Sequence, residues 1–314
     1  MGDFSAEWLA LREPADHRAR SQALVRELVA WLEDRPSPGP RQLLDLGAGT
    51  GSNLRYLAPR LAGAQEWVCV DQDPELLAAL IEQTSTWARA QGLVPNPEAG
   101  GLRIQGRRQV WQIATRRLDL AVALLGGPAA LPLTPGSVVT ASALMDLVSE
   151  PWLADLIQAC RRQGAPLLAT LNYDGRVEIN PREPLDGLVI ALVNGHQGRD
   201  KGLGPALGPS APRALRRLGE AAGYRCLSAE CDWELEPDQP AIQQALVTGW
   251  AEAARDQVRD APSVDLSAIG ERVASIDRWE DARLGHVAAG RSRLGVGHQD
   301  LLLLPPEPGA GSRG

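Results

Sequence analysis

The chain has 314 residues, a formal net charge of −7, 44% apolar residues and 23% charged residues. That length can hold one or two domains with a real buried core. The negative balance gives no bulk attraction to phosphate backbones, so nucleic acid is not an expected partner.

All but one of the 32 basic residues are Arg, the exception being Lys201. Gly (32) and Pro (24) are spread along the whole chain, which signals many turns rather than one disordered block. The four cysteines, Cys69, Cys160, Cys226 and Cys231, form no CxxC and no zinc-type spacing with His, so no metal site is expected. The N-terminus has early charges and no apolar core of the signal-peptide kind. Free thiols without an export signal predict a cytoplasmic protein.

In chain order, Leu24, Val25, Leu28, Val29 and Leu32 make one helical stripe over 21–34, and PSPGP at 36–40 is a linker. RQLLDL (41–46) is a short strand that runs into GAGTG, and SNLRYLAPRL then reads as a helix. EWVCVD (66–71) is a second strand. A helix over 73–92 follows, with Asp73 as N-cap and Pro74 at its first position. Further strands are expected at 109–115, 137–143, 165–173, 224–236 and 300–306, with helices at 151–164 and 212–223. This alternation argues for an α/β protein with a parallel sheet.

The uncharged stretch 120–145 is broken by Gly126, Gly127, Pro128, Pro132, Pro135 and Gly136. It is therefore read as a buried helix or strand, a loop and a buried strand, not as a membrane span. Two stretches interrupt the alternation: 174–211, rich in Gly, Asn and Pro, and 241–292, helical by pattern. The expected organisation is an N-terminal helical lid (1–40), a main domain (41–305) carrying those two insertions, and a disordered tail (306–314).

LLDLGAGTGSN (43–53) carries the chemistry. Gly47, Gly49 and Gly51 leave a strand and open a helix, where glycine permits positive φ and free amides can meet an anion or carboxylate. The dinucleotide fingerprint GxGxxG is not met, because its sixth position is Ser52. Asp71, at the end of the second strand, can accept both hydroxyls of a ribose.

These residues resemble class I S-adenosylmethionine-dependent methyltransferases, over roughly 41–172 and more weakly over 212–305. The resemblance implies a Rossmann-like, doubly wound, seven-stranded sheet, mostly parallel with an antiparallel last strand. It also implies S-adenosyl-L-methionine as cofactor. Asp45, Gly47, Ala48, Gly49 and Gly51 would meet the methionine part, and Asp71 with Gln72 the ribose. Asp119, next to Leu120, is the candidate for the adenine amine, and reads equally as a helix cap. Ala141 and Ser142 are the small residues placed against the cofactor after the fourth strand.

For the substrate, the position after the fourth strand reads TASALMD instead of the [DN]PP[FYW] motif of amino-methylating nucleic-acid enzymes. No basic cluster interleaved with aromatics is present. A small polar molecule is therefore favoured. A methyltransferase acting on RNA or a protein side chain, and a non-catalytic adenosine-binding subunit, stay open as alternatives. Segment 172–208 holds three of the five Asn, one of the four His and the one Lys. It is read as the substrate wall, with Asn172, Asp174, Asn194 and Lys201 as contacts. The candidate bases are His196, Asp146 and Tyr173. Arg12, Asp16, His17 and Arg20 are polar candidates on the N-terminal lid. His298 is read as structural. Asp232, Glu234, Glu236 and Asp238 read as a solvated strand face. The oligomeric state is not set by the sequence.

Overall fold

The computed structural model describes residues 5–106, 109–125, 131–260 and 266–306. The expected tail therefore lies, beyond residue 306, outside the described residues.

Helices α1 (Ala6–Ala19) and α2 (Gln22–Glu33) lead into β1 (Arg41–Leu46), the glycine loop and α3 (Ser52–Leu57). Then come β2 (Gln65–Asp71), α4 (Pro74–Ala90), β3 (Val94–Glu98), β4 (Gly101–Gln105), β5 (Val110–Arg117) and α5 (Leu120–Leu125). The second half runs β6 (Val138–Ser142), α6 (Glu150–Arg162), β7 (Leu167–Asn180), α7 (Asp186–Gln197), α8 (Ala211–Ala221) and β8 (Arg225–Glu230). It ends with β9 (Trp233–Leu235), α9 (Pro240–Arg259), α10 (Leu266–Ala288) and β10 (Arg293–Leu304). No helix among the described residues is long and apolar enough to cross a membrane.

The strands form one sheet in the order β3-β4-β5-β2-β1-β6-β7-β10-β8, with β9 on the free stretch of β10. The five central strands, β5, β2, β1, β6 and β7, are parallel, and β10 is antiparallel to β7, β8 and β9. This is the doubly wound α/β architecture with an antiparallel last strand that the resemblance implies. Both sheet faces are covered, as the strand period of two requires. Leu43 packs with α2 and α4 residues on one face, while Leu44 and Leu46 pack with α6 and α8 residues on the other. In β10, Leu301 and Leu303 join the second layer and Leu302 and Leu304 the first. Helix α2 thus belongs to the core.

Among the described residues the sheet has ten strands, not seven. The β3–β4 hairpin escapes a sequence reading because VPNPE carries two prolines. Pro is tolerated on an edge strand, which is where β3 lies. The stretch 224–236 divides at Cys231 and Asp232, and its two parts pair with different lengths of β10. Strand β7 continues to Asn180 and β10 begins at Arg293, so residues 174–180 are strand rather than loop. Their polar composition hides this, because the pairing energy comes from the partner strand and not from local propensity.

The β7–β10 extension carries a third core. Val189 and Val193 of α7, Val247, Trp250 and Ala251 of α9, Ile276 and Trp279 of α10, and Trp233, Leu235 and Val296 form one buried cluster. Arg283, fully buried, ties it together: it donates to the Pro181 carbonyl and to Asp186 Oδ2 at 2.7 Å. Trp279 Nε1 donates to the other Asp186 oxygen at 2.8 Å. The two insertions of the sequence are therefore packed against each other.

Candidate functional site

The chain goes from β1 to β2 on one side of the sheet and from β6 to β7 on the other. The crevice at this reversal, beyond the carboxyl ends of β1 and β6, is where doubly wound folds bind ligands. Here it is a cleft. Gly47, Ala48, Gly49, Thr50, Ser52 and Asn53 form its floor, Asp71, Gln72, Asp73 and Leu76 one wall, and Ser142, Ala143, Leu144 and Leu147 the other. Leu9, Arg12 and Asp16 of α1 cover it.

The floor depends on positive φ at Gly47 (62°), Gly49 (51°) and Gly51 (84°). A Cβ on Gly49 would lie 3.0 Å from Leu9 Cδ1, and one on Gly47 3.3 Å from Leu144 Cδ1. Any side chain there would fill the cleft. Gly51 does not line the cleft. It is the N-cap of α3 and packs close to Leu80, which explains the third glycine by helix packing.

Asp71 sits where β2 ends. Its Oδ2 accepts the Gly49 amide at 2.9 Å and its Oδ1 the Asp73 amide at 3.0 Å. Burial raises its pKa above the ordinary carboxylate value, and the amide bonds oppose that. An ionised carboxylate has about four acceptor positions, so about two remain for a ligand.

Asp45 is buried beneath the floor rather than in it. Its Oδ1 accepts Asn53 Nδ2 at 2.7 Å, and its Oδ2 has no partner. Burial pushes its pKa up to about 7, against the pull of Asn53 and Arg20. Asn53 also accepts from Arg20 Nη1 at 2.9 Å, and Arg20 Nε lies 3.8 Å from Asp300 Oδ2. Asp300 accepts the Ser21 amide and the Leu171 amide, each at 2.8 Å. A buried polar chain thus joins the α1–α2 junction, the glycine loop and β10.

Helix α1 is fixed over the cleft by charge. Glu13 pairs with Arg55 of α3, whose guanidinium also donates to Thr84 Oγ1 at 3.2 Å. Arg12 donates twice to Asp16, at 2.9 and 3.1 Å, and stacks 4.9 Å from the Trp233 ring. Trp233 Nε1 donates to Asp16 Oδ1 at 3.1 Å. His17 Nε2 lies 3.1 Å from the Ser52 hydroxyl and carbonyl oxygens. The four polar residues singled out on the N-terminal segment therefore all face the protein: Arg12 and Asp16 line the cleft, and His17 and Arg20 contact Ser52 and Asn53 of its floor.

The remaining sequence candidates divide. Gln72 and Ser142 line the cleft, and Ala141 is core just behind it. Asp119 is exposed and caps α5 by accepting the Ala121 amide at 2.9 Å. Leu120 is core, so neither lies among the cleft-lining residues. Asp146 and Tyr173 lie close enough for the Asp146 charge to act on the phenol, and Arg12, midway along α1, acts on Asp146. Asp146 Oδ1 is buried without a partner, and burial raises its pKa to about 6. Tyr173 donates to Asn194 Oδ1 at 2.7 Å, and Asn194 donates to the Gly175 carbonyl at 3.1 Å. Asn172 Nδ2 donates to the Ala169 and Gln299 carbonyls while its Oδ1 is buried without a partner, and Asp174 is paired with Arg176. His196 and Lys201 are not brought to the cleft. Neither lines it; they lie near Arg199, Asp256 and Asp260, beside the C-terminal end of α9.

His298 is the residue that sequence reasoning left as structural. It lies 5% exposed, with its ring 5.0 Å from that of Trp233 and 6.2 Å from that of Tyr173. Its position depends on a long-range register, for which the sequence holds no local signal. Among the described residues no group of three His, Cys, Asp or Glu is placed to hold a metal ion.

No family model matches the chain, and no curated protein matches it. Solved structures do. One is a phosphoethanolamine N-methyltransferase from Haemonchus contortus in complex with phosphomonomethylethanolamine and S-adenosylhomocysteine (11% identity, TM-score 0.41, 98% of this chain and 59% of that chain). This chain thus spans under two thirds of that protein. A second is a cyclopropane synthase from Mycobacterium tuberculosis (11% identity, TM-score 0.43, 96% and 95%). A third is an S-adenosylmethionine-dependent methyltransferase from Geobacter sulfurreducens in complex with S-adenosylhomocysteine (14% identity, TM-score 0.42, 98% and 100%).

Proposed function

We propose that this chain is an S-adenosyl-L-methionine-dependent methyltransferase acting on a small polar molecule. One observation carries the reading: the Gly47–Gly51 bend is held to Asp71 by the Gly49 amide, and Asp71 keeps acceptor capacity facing a cleft at the reversal of strand order. The cradle fits a nucleoside cofactor. Asp71 would take the ribose hydroxyls, Gln72 and Leu76 would flank the nucleoside, and the loop amides would meet the amino-acid end. Ser142, Ala143 and Leu144 would close the opposite side.

When bound, the cofactor supplies a methyl group on a sulfonium, already activated for displacement. The protein's part is to align the acceptor and exclude water. Helix α1 serves as the cover, with Leu9 over Gly49 and Arg12 held by Asp16. Asp146, in the segment after β6, and Tyr173, within β7, would stand on the acceptor side.

The test is calorimetric titration with S-adenosylhomocysteine and with NAD, alongside thermal melts. Binding of the first and not the second is expected, with a midpoint that rises with ligand concentration. Absence of binding at millimolar S-adenosylhomocysteine, or a preference for NAD, refutes the assignment.

A further inference from the structure

Helix α1 sits low over the cleft. A Cβ on Gly49 would lie 3.0 Å from Leu9 Cδ1. Non-bonded carbon atoms rest about 3.5–4 Å apart, so no ligand atom fits between Leu9 and the middle of the glycine bend. With α1 in this seat the cleft holds about 130 Å³, against roughly 300–1,000 Å³ for ligand pockets in general. Thr50, which also lines the cleft, is 1% exposed, and its hydroxyl is buried without a partner. An unmet buried hydroxyl is costly. The seat of α1 therefore leaves a polar group of the floor unsatisfied, where a ligand reaching the bend would satisfy it.

The helix is built to bend. Pro14 stands inside α1 and has no amide to give the Ala10 carbonyl, which removes one helical bond and weakens the rod at that point. Residues 5–13 on one side are exposed or half-buried, whereas Ala15, Asp16 and Arg20 on the other side are buried. The part after the proline is anchored: Asp16 accepts from Trp233, and Arg20 donates to Asn53. Before the proline, Glu13 pairs with Arg55 of α3. Arg55, 4% exposed, also donates to the Thr50 carbonyl at 2.6 Å and to Thr84 Oγ1 at 3.2 Å. One guanidinium thus joins the helix to the bend it covers. His17 lies 3.7 Å from Glu13, but burial lowers its pKa, so Arg55 is the cation that Glu13 meets. Arg12, bonded to Asp16 across the proline and resting on Trp233, tethers the first part to the second.

We propose that α1 is a gate on the cleft: the arm from Ala6 to Glu13 swings about Pro14, Leu9 is its plug, and the Glu13–Arg55 pair is the latch that opens before a ligand reaches the glycine bend. Arg55 is a positioning residue, acting through Glu13 on the arm and through the Thr50 carbonyl on the floor. The gate rests on the methyltransferase reading only for the ligand used to test it.

The test compares wild type with Glu13→Gln, Leu9→Ala and Pro14→Ala. Glu27→Gln is the control, since it cuts an exposed pair between α2 and Arg225 and touches no cleft-lining residue. Association of S-adenosylhomocysteine is followed by stopped-flow tryptophan fluorescence. Hydrogen exchange of the amides of residues 9–13 is followed without ligand. Glu13→Gln should speed both, association by about fivefold. Leu9→Ala should speed association. Pro14→Ala restores the missing helical bond and should slow both, while Glu27→Gln should change neither. Cutting a pair that only held the fold together would weaken S-adenosylhomocysteine binding, so faster association at undiminished affinity is the mark of a latch. Unchanged exchange in Glu13→Gln, or weaker binding without faster association, overturns the gate. A protein that shows the exchange changes but binds no S-adenosylhomocysteine keeps the gate and loses the methyltransferase reading.

Discussion

Asp71→Ala is the sharpest test of the cleft. In the free protein the carboxylate accepts two backbone amides, from Gly49 and Asp73. With a nucleoside bound it would accept about two hydroxyls more. Hydrogen bonds to a charged group contribute about 1.5–3 kcal/mol each, so losing the two ribose bonds costs about 3–6 kcal/mol. The carboxylate stands at the cleft wall and is partly exposed, which argues for the lower half of that range. About 3 kcal/mol corresponds to a dissociation constant raised about 150-fold. The Gly49 amide also loses its partner, which loosens the bend and adds to the effect. Calorimetry with S-adenosylhomocysteine measures the change. Far-ultraviolet circular dichroism and a thermal melt of the free protein establish that the sheet is intact. An affinity within about threefold of wild type, on a folded variant, would mean that Asp71 does not hold the ligand.

Three further predictions concern stability. Asp45 keeps its proton up to about pH 7 in the folded protein because burial disfavours the charged form, whereas in the unfolded chain it ionises near ~4. Its contribution is therefore fully present below about pH 4 and is lost as pH rises to about 7. Urea unfolding at pH 5 and pH 8 should show a smaller loss of stability across that window in Asp45→Asn than in wild type, and equal losses would refute the buried-acid account. Arg20→Ala removes the cation that Asn53 and Asp300 share, and breaking such a buried pair costs about 3–5 kcal/mol, read as a lower urea midpoint. Leu303 is fully buried and packed so tightly on α8 that a Cβ on Gly219 would lie 2.7 Å from it. Leu303→Ala should cost about 2–5 kcal/mol, toward the upper end because α8 cannot close in, and a smaller thermal shift would show that the site collapses.

The sequence by itself determined the parallel half of the fold and the floor of the cleft. Alternating strands and helices, the Gly47–Gly51 spacing and an acid closing the second strand are local patterns. Hydrogen bonding and glycine stereochemistry act over a few residues, so those patterns can be read before folding. Asp119 illustrates the limit of that reading: a helix cap and an adenine contact look the same in sequence, and the structure gives the cap. The tertiary structure alone decided which residues gather around Tyr173. His196 and Lys201 are rare types in this sequence, yet neither lines the cleft: with Val189 and Val193 of α7 buried against α9, both lie by Asp256 of α9. His298 reaches Trp233 and Tyr173 only because β10 pairs with β7 across more than a hundred residues in a twice-broken register. Strand pairing is a long-range choice made by the packing of the whole sheet, and no short window of sequence encodes it.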